Sequence, residues 1–153
     1  MLKVKNKYSI INLKECMQKL GVLKIAMIKS VLICDSQGYP FYSKKLDQDL
    51  GEIDPTIFSG LLSAIGVIGK QLFKEDIATI SYGDKYEIVI ITKELFGDQK
   101  SIYFVFVNEG EKDIKLMRRL STNIFIETKH VLKDPSASKL DIKEKVDKIL
   151  INL

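Results

Sequence analysis

Residues 31–43, VLICDSQGYPFYS, carry the pattern that decides the fold. The apolar, β-branched run over residues 28–34 predicts a strand that is buried on both faces. Ser36-Gln37-Gly38 has the composition of a turn, in which the glycine supplies a positive φ. A second strand is predicted over residues 39–44. Because Pro40 has no amide hydrogen to donate, it must lie at a sheet edge or at a bulge.

A long apolar helix is predicted to follow this hairpin, over residues 56–74. Asp54 suits the N-cap and Pro55 the first helical position. The helix is apolar on more than one side, yet it contains three glycines, each of which weakens a helix by up to ~1 kcal/mol relative to alanine. Such glycines are tolerated where another backbone approaches closely. The helix is therefore expected to pack either on the sheet of its own chain or on the same helix of a second subunit.

Three more strands and two more helices are predicted in the second half of the chain. Gly83-Asp84 is a tight hairpin signal between two of the strands, and the last strand is apolar throughout, which suits a central position. The connection over residues 93–100 is expected to be a loop that exposes Leu95 and Phe96. The predicted ranges are residues 77–82, 86–92 and 102–107 for the strands, 112–133 for a long helix, and an amphipathic helix capped by Ser138.

The composition is that of one ordinary globular domain. Of the 153 residues, 46% are hydrophobic and 29% are charged, and the net charge is +4. The basic residues alternate with acidic ones, which does not predict a nucleic-acid site. No signal peptide and no run of about 18 uninterrupted apolar residues is recognised, so a cytoplasmic protein is expected. We divide the chain into an N-terminal extension with a short helix (1–24), one domain (25–133) and a C-terminal amphipathic helix (134–153) that is part of that domain or packs on it.

The residues that could carry chemistry do not form a catalytic or metal-binding pattern. His130 is the only histidine, and Cys16 and Cys34 are far apart and outside any CxxC spacing, which favours packing roles. Asp35 ends the first strand, where its carboxylate is expected to bind the amides of its own turn. Phosphate-loop, dinucleotide and esterase motifs are missing from the sequence. We therefore expect no enzyme activity, no metal and no cofactor.

The order of these elements resembles that of the roadblock/longin superfamily over about residues 25–133. The residues that carry the likeness are VLICDSQGYPFYSKK, DPTIFSGLLSAIGVIGKQLF, ISYGDKYEIVIIT, IYFVFVN and the helix that ends in FIETKHVL. The helix that begins DPTIFSGLLSAI and the two C-terminal helices are more similar to longin domains. A helix predicted ahead of the first strand, over residues 12–20, is more similar to roadblock domains.

The resemblance implies an α+β fold with a five-stranded antiparallel sheet of order 2-1-5-4-3, sandwiched by helices. The central helix would lie on one face and the terminal helices on the other. It also implies a non-enzymatic scaffold that forms homo- or heterodimers with itself or a related protein. Such proteins bind or regulate small GTPases in signalling or vesicle-trafficking complexes. Any peripheral association with a membrane would be mediated by partner proteins.

In roadblock-type dimers the helix after the second strand and the third strand commonly form the seam. The resemblance therefore implies that partner contacts involve Ile57, Gly60, Leu61, Ala64, Ile65, Ile68, Ile80 and Tyr82, and we add the loop residues Leu95 and Phe96. Two alternatives stay open at this point. A small-molecule sensor domain of the PAS or GAF kind would need a polar-lined cavity between sheet and helix, and a profilin-like module would bind actin filaments.

Overall fold

The computed structural model describes residues 28–95, 100–134 and 138–151. Within these ranges the chain forms five strands, three α-helices and one π-helical turn. The predicted helix at 12–20 and the side chain of Phe96 lie outside the described residues. The elements are β1 (Ile28–Asp35), β2 (Pro40–Lys45), α1 (Pro55–Ile68), the π-helical turn (Gly69–Phe73), β3 (Ile77–Tyr82), β4 (Tyr86–Leu95), β5 (Lys100–Glu109), α2 (Ile114–Lys133) and α3 (Lys139–Ile151).

The five strands form one sheet of order β2-β1-β5-β4-β3, and every neighbouring pair is antiparallel. The expected fold class and strand order are confirmed. β1 and β5 are central and consist mainly of buried apolar residues, as the sequence predicts. Helix α1 covers one face of the sheet, while α2 and α3 cover the other.

The first hairpin has the local chemistry expected from its sequence. The Oδ1 atom of Asp35 accepts hydrogen bonds from the backbone amides of Gln37, at 3.0 Å, and Tyr39, at 2.9 Å. Gly38 has a φ of +81°, which L side chains rarely adopt. Pro40 lies opposite Cys34, where the register shifts, and β2 is an edge strand. The missing amide hydrogen of Pro40 therefore costs the interior of the sheet no hydrogen bond.

The predicted loop at 93–100 is wrong in its first half. Strand β4 continues to Leu95 because Lys93 and Glu94 pair in register with residues of β5. Leu95 is only 2% exposed and belongs to the core on the α2 side of the sheet. Our expectation that Leu95 is exposed is therefore wrong, and the side chain is not available to a partner in this fold.

Helix α1 begins and ends where its backbone chemistry requires. Asp54 Oδ1 accepts a hydrogen bond from the Thr56 amide at 2.8 Å, and Pro55 occupies the first turn. The regular helix ends at Ile68, earlier than predicted, and the chain continues as the π-helical turn, Gly69–Phe73. Lys74 then adopts a φ of +54° and terminates the element. The inner face of α1 packs on Leu32 and other residues of the sheet.

Helices α2 and α3 bury their apolar sides against the opposite face of the sheet. The residues they contribute to the core include Leu120 and Ile124 from α2, and Ile142 and Val146 from α3, all at most 1% exposed. The apolar side of α3 thus packs on its own chain. The two helices also contact each other, so they form a continuous layer.

A hydrogen-bonded cluster joins α3 to the edge strand β2. Asp147 Oδ1 accepts from the Tyr42 hydroxyl at 2.6 Å and from Lys44 Nζ at 3.2 Å, while its Oδ2 pairs with Lys143 Nζ at 3.3 Å. Burial raises the pKa of Tyr42, and the bond to Asp147 raises it further. Burial alone would raise the pKa of Asp147, but the hydrogen bonds from Tyr42, Lys44 and Lys143 outweigh it and hold that pKa below its usual value.

The stability that Asp147 contributes should be lost in acid. A carboxyl group whose pKa is lowered in the folded state stabilises the fold fully when the pH is above its unfolded-state pKa, about 3.9. This contribution is lost as the pH falls through the folded-state pKa. We expect Asp147→Asn to lower the free energy of unfolding by about 1–2 kcal/mol at neutral pH, because two lysines lose their carboxylate. Urea unfolding at neutral pH and near pH 3 measures this difference, which should shrink in acid. A difference that stays constant with pH would contradict the role of the charge.

Candidate partner-binding surface

The outward side of α1 is apolar and open to solvent. Ile57, Leu61, Ala64 and Ile68 recur at the spacing of one helical face, and the π-helical turn extends that face with Leu72 and Phe73. The exposed fraction of the five large side chains runs from 51% for Ile68 to 71% for Leu72. We call these six residues the α1 outer face. A contiguous apolar surface of this kind on a folded domain commonly marks an interaction site.

The inward side of α1 consists of small residues that let the helix approach the sheet closely. Ser59, Ser63 and Gly66 are buried, and the Ser59 hydroxyl donates a hydrogen bond to the backbone oxygen of Gly38. A Cβ placed on Gly38 would lie 2.9 Å from the Gly60 Cα, so the hairpin turn contacts the helix backbone directly. Packing within the chain therefore accounts for these small residues.

The three helix glycines differ in what surrounds them. A Cβ on Gly66 would lie 2.5 Å from the Tyr103 ring, whereas a Cβ on Gly60 or Gly69 would meet nothing within 4 Å. Gly66 is thus required by the fold of the single chain. The outward positions at Gly60 and Gly69 leave room above the helix, which a second helix could approach.

The structure sorts the residues expected at the interface into three groups. Ile57, Gly60, Leu61, Ala64 and Ile68 lie on the outward side of α1, and Tyr82, at the end of β3, is 59% exposed. Ile65 and Ile80 are half-buried and pack with the core between α1 and the sheet. Leu95 is buried on the other face of the sheet.

Two strongly exposed residues, Leu72 and Phe73, were not among the expected interface residues. They are 71% and 69% exposed. Leu72 follows Ile68 by four residues, so continuing the helical period would have pointed to it. Phe73 could not be placed in this way, because the π-helical turn changes the direction in which side chains leave the helix.

The two edges of the sheet differ in how well they are protected against pairing with another strand. The β2 edge carries Pro40, a register shift, Lys44 and Lys45, which are common devices against edge-to-edge association. The β3 edge, IATISY, contains neither proline nor charge, and within the described residues β3 pairs only with β4. The open edge of β3 is therefore the side of the sheet that suits pairing with another chain.

The α1 outer face is also free of charge. Lys70 is the one charged residue from Pro55 to Phe73, and it pairs with Asp76 at 2.8 Å and with Glu94 at 3.3 Å. By length and mean hydropathy (1.4), Pro55–Phe73 is the single helix in the described ranges that could cross a membrane. That is weak evidence, because the helix packs on the sheet of its own domain through Leu62 and its small residues.

No reactive or metal-binding centre accompanies this surface in the described part of the chain. No three histidine, cysteine or carboxylate side chains there lie close enough to hold a metal ion. Cys34 is fully buried, and burial, followed by the nearby Asp35, raises the pKa of its thiol to about 12. His130 is exposed near the end of α2. Cys34 therefore acts as a packing residue.

The interior between α1 and the sheet is filled with apolar side chains. Leu32, Leu62 and Tyr103 are each at most 1% exposed. Two open clefts, of about 560 and 370 Å³, lie instead beside the loop between β2 and α1, and the smaller one is lined by Lys45 and Phe58 among others. Neither is the polar-lined cavity between sheet and helix that a sensor domain would require.

Comparison with known proteins yields structural likeness only. No family model and no curated protein matches the sequence. The chain is similar to a structure described as MglB with a tetrameric arrangement, at 10% identity and a TM-score of 0.47, covering 95% of this chain and 87% of that one. It is also similar to Myxococcus xanthus MglB (18% identity, TM-score 0.43, coverage 85% and 80%) and to a Roadblock/LC7 domain from Streptomyces avermitilis (11%, 0.41, 82% and 85%). The observed sheet order of β2-β1-β5-β4-β3, with α1 on one face and α2 and α3 on the other, is the arrangement that the resemblance to the roadblock/longin superfamily implies.

Proposed function

We propose that the chain is a cytoplasmic, non-enzymatic scaffold that dimerises through the α1 outer face and the β3 edge and that binds or regulates a small GTPase. The observation that supports this most strongly is the α1 outer face, where five large apolar side chains are at least half exposed in the single chain. Covering such side chains contributes about 25 cal/mol for each Å² of apolar surface removed from water. A second copy, or a related chain with the same fold, is the partner that we propose.

The open edge of β3 supports the same seam. Two identical edge strands that pair in antiparallel fashion are related by a two-fold axis perpendicular to the sheet. That axis keeps both sheets in one layer and places the two α1 helices on the same side. The α1 outer faces could then meet while the β3 backbones pair. Tyr82, exposed at the end of β3, would lie at the rim.

The dimer is tested by measuring mass in solution. Sedimentation equilibrium at tens of micromolar is expected to give twice the chain mass of 17.4 kDa. A related chain from the same genome, added in equal amount, would show whether a heterodimer is preferred. A strict monomer at these concentrations, alone and with related chains, would contradict the proposal.

The GTPase partner rests on the resemblance of the element order to the roadblock/longin superfamily, and it needs its own test. Small GTPases from the same genome, loaded with GDP or with a non-hydrolysable GTP analogue, would be passed over the immobilised chain. We expect at least one GTPase to be retained preferentially in one nucleotide state. If none is retained in either state, the GTPase part of the proposal fails, while the dimer can still stand on its mass measurement.

A further inference from the structure

The outward side of α2 carries a stripe of basic residues with no acidic residue among them. Seven residues on the inward side of the helix are buried, which fixes the opposite side as the one that faces solvent. The sole acidic residue in α2, Glu127, lies off the centre of that outward side. The residues that form the stripe, which we call the α2 basic stripe, are Lys115, Arg118, Arg119, Lys129 and Lys133, all exposed or half-exposed.

The charge of this stripe is not neutralised by the rest of the described chain. None of its five residues forms an ion pair with a described carboxylate, whereas lysines elsewhere, such as Lys29, Lys70 and Lys85, each pair with one or two. Exposed ion pairs cancel much of the local potential, so a surface without them attracts anions over a longer range. Ile126, 53% exposed, lies within the stripe and adds an apolar side chain to it.

We propose that the α2 basic stripe docks the protein directly on an anionic lipid bilayer. From residue 115 to residue 133 the helix is about 27 Å long, so the five charges spread over an extended and flat surface. Clusters of four to eight Lys or Arg residues on one face of a helix bind anionic lipid headgroups, because each basic residue close to the membrane surface attracts those headgroups. Long basic side chains can reach headgroups while Ile126 enters the interface.

A bilayer fits this surface better than an acidic protein does. Protein partners usually insert anchoring side chains into pockets, and neither of the two clefts beside the loop between β2 and α1 is lined by α2. The stripe also lies on the face of the sheet opposite α1. If the chain dimerises at the β3 edge as proposed above, both stripes would face the same way, and one flat membrane could contact both at once. The stripe is complete in a single chain, so docking does not require the dimer.

Vesicle co-sedimentation of the full chain tests the proposal. The probe is a vesicle of seven parts phosphatidylcholine to three parts phosphatidylserine, with pure phosphatidylcholine as the comparison. We expect binding to the mixed vesicles, weakening as salt is raised, and no binding to the pure ones. Arg118→Glu should weaken binding by about tenfold or more, since it replaces an attraction by a repulsion. The variant should fold, because the side chain of Arg118 is exposed on the outward side of α2.

Lys74→Glu is the matched control, because it changes the net charge equally but lies at the end of the π-helical turn, on the α1 side. It should leave vesicle binding within about twofold of the wild type. If the wild type binds pure phosphatidylcholine and Arg118→Glu binds it equally well, the proposal is overturned and the α1 outer face is the side that contacts lipid. Binding to polyglutamate without binding to the mixed vesicles would overturn it in favour of an acidic protein. A monomeric variant that still binds mixed vesicles would support the docking even if the dimer fails.

Discussion

Leu61→Asp is expected to turn the proposed dimer into a monomer. Leu61 is 56% exposed in the single chain and points away from the sheet, so the substitution should leave the fold intact. In the seam, however, the carboxylate would be buried without a cationic partner, since Lys70 is already bound to Asp76 and Glu94. If Leu61 is a hot spot of the seam, losing it costs about 2–4 kcal/mol, which raises the dissociation constant by roughly 30- to 1,000-fold. Sedimentation equilibrium of the variant measures this change.

The matched control is Ile126→Asp, which makes a similar change at a residue that is 53% exposed on α2, across the sheet from α1. This variant should keep the dissociation constant of the wild type. If Ile126→Asp dissociates the dimer and Leu61→Asp does not, the seam lies on the α2 side and our assignment is wrong. If neither does, the two chains associate through some other surface.

The first hairpin shows what could be predicted from local sequence. Asp35 binds the amides of its own turn, Gly38 has a positive φ, and Pro40 lies at a bulge on an edge strand. Each of these outcomes depends on atoms a few residues apart, so composition and order suffice to predict them. Strand order is different, because it depends on contacts between distant residues. It followed from the family resemblance rather than from the pattern of any one strand.

The end of β4 shows where local reading fails. Lys93 and Glu94 have the composition of a loop, yet they pair with β5 as part of the sheet, and this pairing places Leu95 in the core. The prediction of the partner-binding surface was incomplete for a related reason. Periodicity identifies apolar positions on a helix but does not say which of them the sheet covers, and it misses side chains that leave the regular helix, as Phe73 does in the π-helical turn.

Gly66→Ala should destabilise the fold, while Gly60→Ala should stabilise it. The new methyl group at position 66 would lie 2.5–2.9 Å from three atoms of the Tyr103 ring, which is only 1% exposed and cannot move freely. Overpacking of this kind costs about 1–3 kcal/mol. At position 60 the methyl group meets nothing within 4 Å, so the gain in helix propensity, about 0.5–1 kcal/mol, should remain. Urea unfolding in a Leu61→Asp background gives both values without a contribution from dimerisation.

Combining Gly66→Ala with Tyr103→Leu separates the ring contact from helix propensity. If the penalty at position 66 comes from the Tyr103 ring, it should shrink or disappear once the ring is removed, so that the two substitutions are strongly coupled. Gly60→Ala should show no coupling with Tyr103→Leu, because the added group does not face the sheet. An equal effect of alanine at both glycines, with or without the ring, would mean that α1 does not rest on the sheet through its Gly66 side. The α1 outer face would then not be the side left open to a partner.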